Sequence, residues 1–231
     1  MQLTRLLLAA IALMPYIASG QPAATNTAVF AVAYVETRPA AADSGRASLE
    51  AYRDATRQQP GCISVEVFAQ NGRPGHFAVL ETWRDQTTFD ARDAATKQKL
   101  LDELKPVRIS DYDERPYKAL TIATDKAPTA VRAQGVYVIS HVDVAPNTQA
   151  PMLLSALADA SRQEAANLRF DVLQHAQRAN HFTVVEHWQS QAALDTHVAA
   201  AHTREYRDAL QPLTGSPLDE RVYTPLDPRR R

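Results

Sequence analysis

Apolar residues recur along this chain at two periods, and the switching between them predicts its elements. Residues 29–35 and 136–142 are short runs rich in β-branched and aromatic side chains, each closed by a downstream proline, Pro39 or Pro146, and read as strands. Leu49, Tyr52 and Ala55, spaced by three within residues 44–59, predict an amphipathic helix that Pro60-Gly61 stops. Leu153, Leu154, Leu157 and Ala160 repeat that pattern in the second half. Two hairpins come next, 63–70 with 76–83 across the turn-rich 71–75, and 170–175 with 181–188 across 176–180. A longer helix follows each hairpin, with Asp85 and Ser190 as N-cap candidates. Phe89, Leu100, Leu101 and Leu104 mark the apolar stripe of the first, and Leu194, Val198, Tyr206 and Leu210 that of the second. Pro106 and Pro212 end these helices, and a last strand around Tyr117 or Tyr223 closes each half.

The two halves are copies of one another. Residues 76–83 (HFAVLETW) reappear as 181–188 (HFTVVEHW) at an offset of 105, which lays Glu81 on Glu186, Trp83 on Trp188 and Arg57-Gln58 on Arg162-Gln163. The offset drifts to 106 for Asp113-Glu114-Arg115 against Asp219-Glu220-Arg221, and to 107 for Val29 against Val136, as loop insertions would produce. Each half therefore reads βαββαβ, the ferredoxin-like arrangement in which both helices cover one face of an antiparallel sheet. Its other face is bare and apolar, and two such faces packed together bury each other. The predicted fold is α+β, two ferredoxin-like repeats packed sheet to sheet as a pseudo-dimer within one chain. Residues 21–120 form the first repeat and 133–224 the second, joined by a polar, proline-containing linker at 121–132.

Composition changes this picture at the ends. Arg5, the apolar run 6–14 and the small residues Ala18-Ser19-Gly20 have the layout of a secretory signal peptide, 1–20, cleaved before Gln21. Its nine apolar residues are too few for a bilayer core that needs roughly 20, so the expectation is an exported protein, periplasmic or secreted. Formal net charge is −1, from 25 basic and 26 acidic residues, which offers no global attraction to nucleic acid or to an anionic membrane. The basic Arg229-Arg230-Arg231 lies in a proline-punctuated segment, 225–231, expected to be a disordered tail. Cys62 is the sole cysteine, so no intrachain disulfide is available and stability must come from packed cores. Beside Ile63 and Val65 it reads as a small buried apolar residue rather than a nucleophile.

Strand alternation sorts the repeated residues that carry chemistry. Phe182, Val184, Glu186 and Trp188 share one face, and His181, Thr183, Val185 and His187 the other. A glutamate among apolar neighbours has two readings. It ties its strand to a helix or to the other half, with Arg57 and Arg162 as partners, or it is a carboxylate of raised pKa acting as a base in an apolar pocket. His197, three residues after Leu194 and next to Val198, lies at the border of the helix's apolar face. It is either a partly exposed helix histidine or a group aimed into the sheet-facing cleft, suited to act as general base or to hydrogen-bond a phenolic or quinone oxygen. His141, His197 and His202 together raise the question of a metal. Residues 197 and 202 are five apart, not the three or four that put two ligands on one helix face, so no metal is expected. With no Gly-rich phosphate loop, cysteine cluster or Ser-His-Asp order, nucleotide, flavin and iron–sulfur cofactors have no support either.

The Glu-x-Trp strand end, followed by a helix with a histidine nine residues after the tryptophan (Trp188 to His197) and another five later (His202), resembles the antibiotic biosynthesis monooxygenase family. The resemblance runs twice over nearly all of the chain beyond the leader. Its motif is fuller in the second half, Glu186-His187-Trp188, Ala193-Leu194-Asp195-Thr196-His197 and His202-Thr203; in the first, Arg92 stands for His197 and Lys97 for His202. This implies a dimeric α+β barrel, here formed within one monomeric chain. It also implies a cofactor-independent monooxygenase acting with O2 on a quinol-like or aromatic small molecule. The site would lie in the second half, with His197 and Glu186 catalytic and Trp188, His202, Tyr206 and His141 around the substrate. Haem-degrading members carry an axial histidine further along the second helix; ten residues beyond His197 stands Arg207, with Asp102 at the matching place in the first half, which argues against haem. The alternative is a non-catalytic periplasmic module that binds a small ligand in the same cleft.

Overall fold

The computed structural model describes residues 27–123, 135–147 and 149–226. The first repeat comprises β1 (Val29–Glu36), α1 (Ala42–Thr56), β2 (Cys62–Gln70), β3 (His76–Trp83), α2 (Gln86–Asp90), α3 (Ala94–Leu104) and β4 (Asp113–Thr121). The second comprises β5 (Val136–Asp143), α4 (Gln149–Arg162), β6 (Asn167–His175), β7 (His181–Trp188), α5 (Gln191–Val198), α6 (Ala201–Leu210) and β8 (Asp219–Pro225). All eight strands close into one antiparallel barrel in the order β1-β3-β2-β8-β5-β7-β6-β4. The repeats meet at two seams, β2 with β8 (Phe68 opposite Pro225) and β4 with β6 (Tyr117 opposite His175). The last strand of each repeat thus extends the other's sheet, and the closure leaves no free edge.

The bare sheet faces point inward, as the repeat predicts. Phe30, Val32, Phe68 and Tyr117 of the first repeat and Tyr137, Ile139, Leu173 and Tyr223 of the second form one buried cluster. Each such side chain contributes about 1.5–3 kcal/mol by leaving water. At one end of the interior Arg169 pairs with Asp171 at 2.6 Å and reaches across to Glu66 of the other repeat at 2.7 Å. The helices cover the outside, Leu49, Tyr52, Leu100 and Leu104 over the first sheet and Leu154, Leu157, Leu194 and Leu210 over the second. This is the intrachain dimeric α+β barrel. Among the described residues no helix is long and apolar enough to cross a membrane.

The long helix expected after each hairpin is in fact broken. Asp85 and Ser190 do cap its start, Asp85 through a capping box with Thr88 and Ser190 by accepting from the Ala193 N–H at 3.2 Å. In the first repeat Asp93 caps a second start, its carboxylate accepting from Ala95 and Thr96 at 3.1 and 3.0 Å. In the second, Ala200 is extended at ψ 150° and separates α5 from α6. Residues on either side of these breaks no longer share one helical phase.

The expected tail also starts too early. Pro225 closes β8, and the buried Leu226 donates its N–H to Val67 at 2.7 Å and accepts from the buried Arg53 at 2.6 Å. The expected leader, most of the expected linker and the last five residues lie outside the described residues. Cys62 packs with Val29, Ala31, Trp83 and Phe89. Burial, with the charge of Glu81, pushes its thiol up to about 12, so no thiolate forms near neutral pH.

Candidate active site in the second repeat

Strand parity turns Glu186 and Trp188, at the end of β7, toward the helices. Their chain neighbour His187 faces the barrel interior, stacked on Tyr137 with ring centroids 4.0 Å apart. The Trp188 indole N–H donates to Glu186 Oε2 at 2.8 Å. That bond favours the ionised carboxylate, but burial dominates and pushes Glu186 up to about 7.

His197, buried near the end of α5, stacks on the Trp188 indole at 4.4 Å and 27° and meets Phe170 edge-on at 5.8 Å. Its Nδ1 lies 2.6 Å from Oε1 of Glu164, a residue of the turn after α4. With the Glu164 oxygen accepting, that nitrogen carries the ring proton, which leaves Nε2 as the acceptor. Nε2 is 3.8 Å from Glu186 Oε2, too far for a direct hydrogen bond. Burial lowers the His197 pKa, with the Glu164 bond acting against it, so the imidazole is held neutral and able to take a proton.

Between the sheet and helices α4, α5 and α6 lies a cavity of about 180 Å³, onto which Glu186 and His197 both face. Val138, Val142, Leu157, Val184 and Leu194 supply an apolar wall. Ser140 and Tyr206 also line it, and among the described residues their buried hydroxyls have no partner. Arg207 and Glu220 pair at 3.0 Å on its more exposed side. The cavity thus offers an apolar wall, two hydroxyls free to bond a ligand and a neutral histidine oriented as a base.

The same cleft in the first repeat is filled. Glu81 accepts from the Tyr52 hydroxyl at 2.6 Å and the Trp83 indole at 2.8 Å, with Arg92 at 3.5 Å. Arg92 continues to Glu114 at 3.3 Å, Glu114 pairs with Lys97, and Lys97 lies 3.8 Å above the Tyr112 ring. At the repeat offsets Tyr52 and Tyr112 stand where the second cavity has Leu157 and Leu218. Glu81 therefore does tie its strand to helices, but through Tyr52 and Arg92. The expected partners Arg57 and Arg162 bind backbone carbonyls instead, those of Val65 at 2.6 Å and Phe170 at 2.9 Å.

Of the residues singled out from the sequence, Glu186, His197 and Tyr206 come together at the cavity. Trp188 does not reach it: fully buried, it supports His197 and Glu186 from behind rather than a substrate. His202 also stands back, its Nε2 3.1 Å from Glu164 Oε1. His141 is on the wrong face. Its parity turns it into the barrel, 3.0 Å from the Thr183 hydroxyl and edge-on to Tyr34, while its neighbour Ser140 faces the cavity. Glu164, Ser140 and Glu220 went unrecognised. Glu164 had a signal, since it replaces Gln59 of the first repeat just as His197 replaces Arg92. The spacing argument against a metal fails with the helix break, because His197 and His202 converge on Glu164 from two different helices.

The antibiotic biosynthesis monooxygenase family model matches residues 28–99 and 145–209. Solved structures of the same fold include a candidate monooxygenase from Fusobacterium nucleatum subsp. nucleatum ATCC 25586, 14% identical, covering 87% of this chain and 93% of that one at a TM-score of 0.73. A candidate monooxygenase from Lactobacillus acidophilus NCFM is 13% identical, covering 86% and 94% at 0.69. An anthrone oxidase-like protein is also 13% identical, covering 89% and 94% at 0.69. At these identities the likeness is one of fold, and it spans both repeats in a single chain. No curated protein gives a match.

Proposed function

The chain belongs to the antibiotic biosynthesis monooxygenase family, and from that membership and the cavity of its second repeat we propose that it oxidises a small phenolic or quinol-like molecule with O2. The cavity carries this reading. Its apolar wall suits an aromatic body, the Ser140 and Tyr206 hydroxyls suit oxygen substituents, and His197 Nε2 is a proton acceptor beside them.

For a quinol, one O2 enters, and a hydroxylated quinone and one water leave. His197 takes a phenolic proton, and the electron-rich phenolate bonds to O2 through a ring carbon. The peroxide so formed takes the proton back from His197. The hydrogen on the oxygenated carbon then leaves as a proton through Glu186, the O–O bond breaks, and a carbonyl forms. The departing hydroxide collects that proton as water. The substrate supplies all four electrons, two for each oxygen atom, so the sequence calls on no flavin, haem or metal.

Oxygen uptake with a panel of reduced quinones and phenols tests this. One O2 should be consumed per product, and ¹⁸O2 should leave a single labelled oxygen in it. No uptake across the panel would remove the enzymatic reading, and a ligand-induced thermal shift without uptake would leave a binding module of the same fold. The signal-like residues 1–20 support export. N-terminal sequencing of the exported chain should begin at Gln21, and an intact Met1 would argue against it.

A further inference from the structure

Beside the cavity, at the break between α5 and α6, three donor groups converge. Nδ1 of His197 and Nε2 of His202 approach Oε1 of Glu164 at 2.6 and 3.1 Å, and all three atoms lie within 4.8 Å of one another. We propose that Glu164, His197 and His202 form a binding site for a divalent transition-metal ion of the zinc class, one per chain.

The donor set selects that class. Two imidazoles with one carboxylate suit Zn²⁺, Co²⁺ or Ni²⁺, whereas Ca²⁺ and Mg²⁺ prefer all-oxygen cages. Tetrahedral zinc at about 2.0–2.1 Å from each donor needs donors roughly 3.3 Å apart. Both imidazole–carboxylate distances are within about an ångström of that, and rotation of the partly exposed His202 ring draws its Nε2 toward His197. The side chains of Glu164 and His202 are 20% and 29% exposed, which gives an ion access and leaves its fourth position to water. Around them stand the supports that histidine ligands require. Trp188 stacks on the His197 ring, and Glu186, 3.8 Å from Nε2, can draw in to accept its N–H once Nδ1 holds a metal. The first repeat is an internal control. There Gln59, Arg92 and Lys97 stand in place of Glu164, His197 and His202, a set with one weak donor and two cations.

The site goes beyond the proposed oxidation and does not require it. Only one consequence rests on that reading: an ion on Nδ1 keeps the ring proton on Nε2, so His197 cannot accept a substrate proton and zinc inhibits turnover.

Calorimetric titration of the chelator-treated chain with Zn²⁺, without any substrate, tests the site. One saturable ion per chain is expected, weakened at least tenfold by His202→Gln and by Glu164→Gln and unchanged by Arg92→Ala. Co²⁺ should give the visible absorption of a four-coordinate ion in the wild-type chain and lose it in both variants. No saturable binding, or binding that survives both substitutions through the remaining histidines, overturns the proposal. A chain that binds zinc but never consumes O2 keeps this site and sinks the oxidation. Turnover without zinc binding does the reverse.

Discussion

Glu81 and Glu186 sit at the same place on the same strand of the two repeats, and each accepts a hydrogen bond from the tryptophan two residues on, at 2.8 Å. Their surroundings differ in kind. Around Glu81 a tyrosine, two cations and a second carboxylate close the cleft with paired charge. Around Glu186 the tyrosines are leucines and the arginine a histidine, and a cavity opens where the ion pairs would be. One scaffold therefore carries a cleft spent on cohesion and a cleft left unfilled. The Ser140 and Tyr206 hydroxyls, unpartnered among the described residues and facing that cavity, mark the second as the one built to receive something.

The sharpest way to break that contrast is to exchange its key residues for alanine. His197→Ala should lower oxygen uptake with the best substrate by about 10²–10⁴-fold, the usual worth of a general base, while Arg92→Ala stays within about twofold. Equal losses would mean that the repeats share the work. Next in size is the stability of the two glutamates. Glu81→Leu strands the Tyr52 hydroxyl, the Trp83 indole and part of the Arg92 charge, and should cost about 3–5 kcal/mol in urea denaturation at pH 7. Glu186→Leu removes a carboxylate with few partners and should cost less than about 1.5 kcal/mol. Leu218→Tyr, which copies Tyr112 into the second cleft, should reduce turnover about tenfold while changing stability by less than about 1.5 kcal/mol. Uptake that survives a filled cavity would move the reaction elsewhere.

The smallest effect concerns His141, which faces Tyr34, Arg115, Thr183, Asp219, Arg221 and Asp143 from the barrel strands around it. Burial, reinforced by Arg115, pushes its pKa from 6.5 down to about 4. Between those values the unfolded chain binds a proton that the folded one refuses, so stability falls as pH drops from about 6.5 to about 4. His141→Gln should flatten that part of the thermal-stability profile and leave oxygen uptake unchanged. A matching loss of uptake would return His141 to the site.

Much of this was legible in the chain. Period-two alternation is a property of any strand, so that Glu186 and Trp188 share a face with Phe182 and Val184 follows from counting. The repeat offset likewise exposed the exchange of Arg92 for His197. What escaped depended on backbone geometry that composition does not mark. Ala199-Ala200 contains no glycine or proline, yet Ala200 is extended and the helix stops there, which carries His202 to Glu164. His141 has the residue type of a site group but the parity of the barrel interior, and the same alternation assigns the cavity side to Ser140. Pro225 reads as the end of order by composition; its pairing with Phe68 comes from the opposite repeat, beyond the reach of local sequence.

The two tryptophans, one per repeat, offer the most direct test that the second cleft alone receives a ligand. Their indole N–H groups each donate to the glutamate of their own cleft, so two cross-peaks in a ¹⁵N-labelled chain report on the two clefts separately. Trp83→Phe assigns them. Titration with a quinone that inhibits uptake should shift the Trp188 indole resonance saturably and leave that of Trp83 in place. A shift at Trp83, alone or in equal measure, would contradict the account.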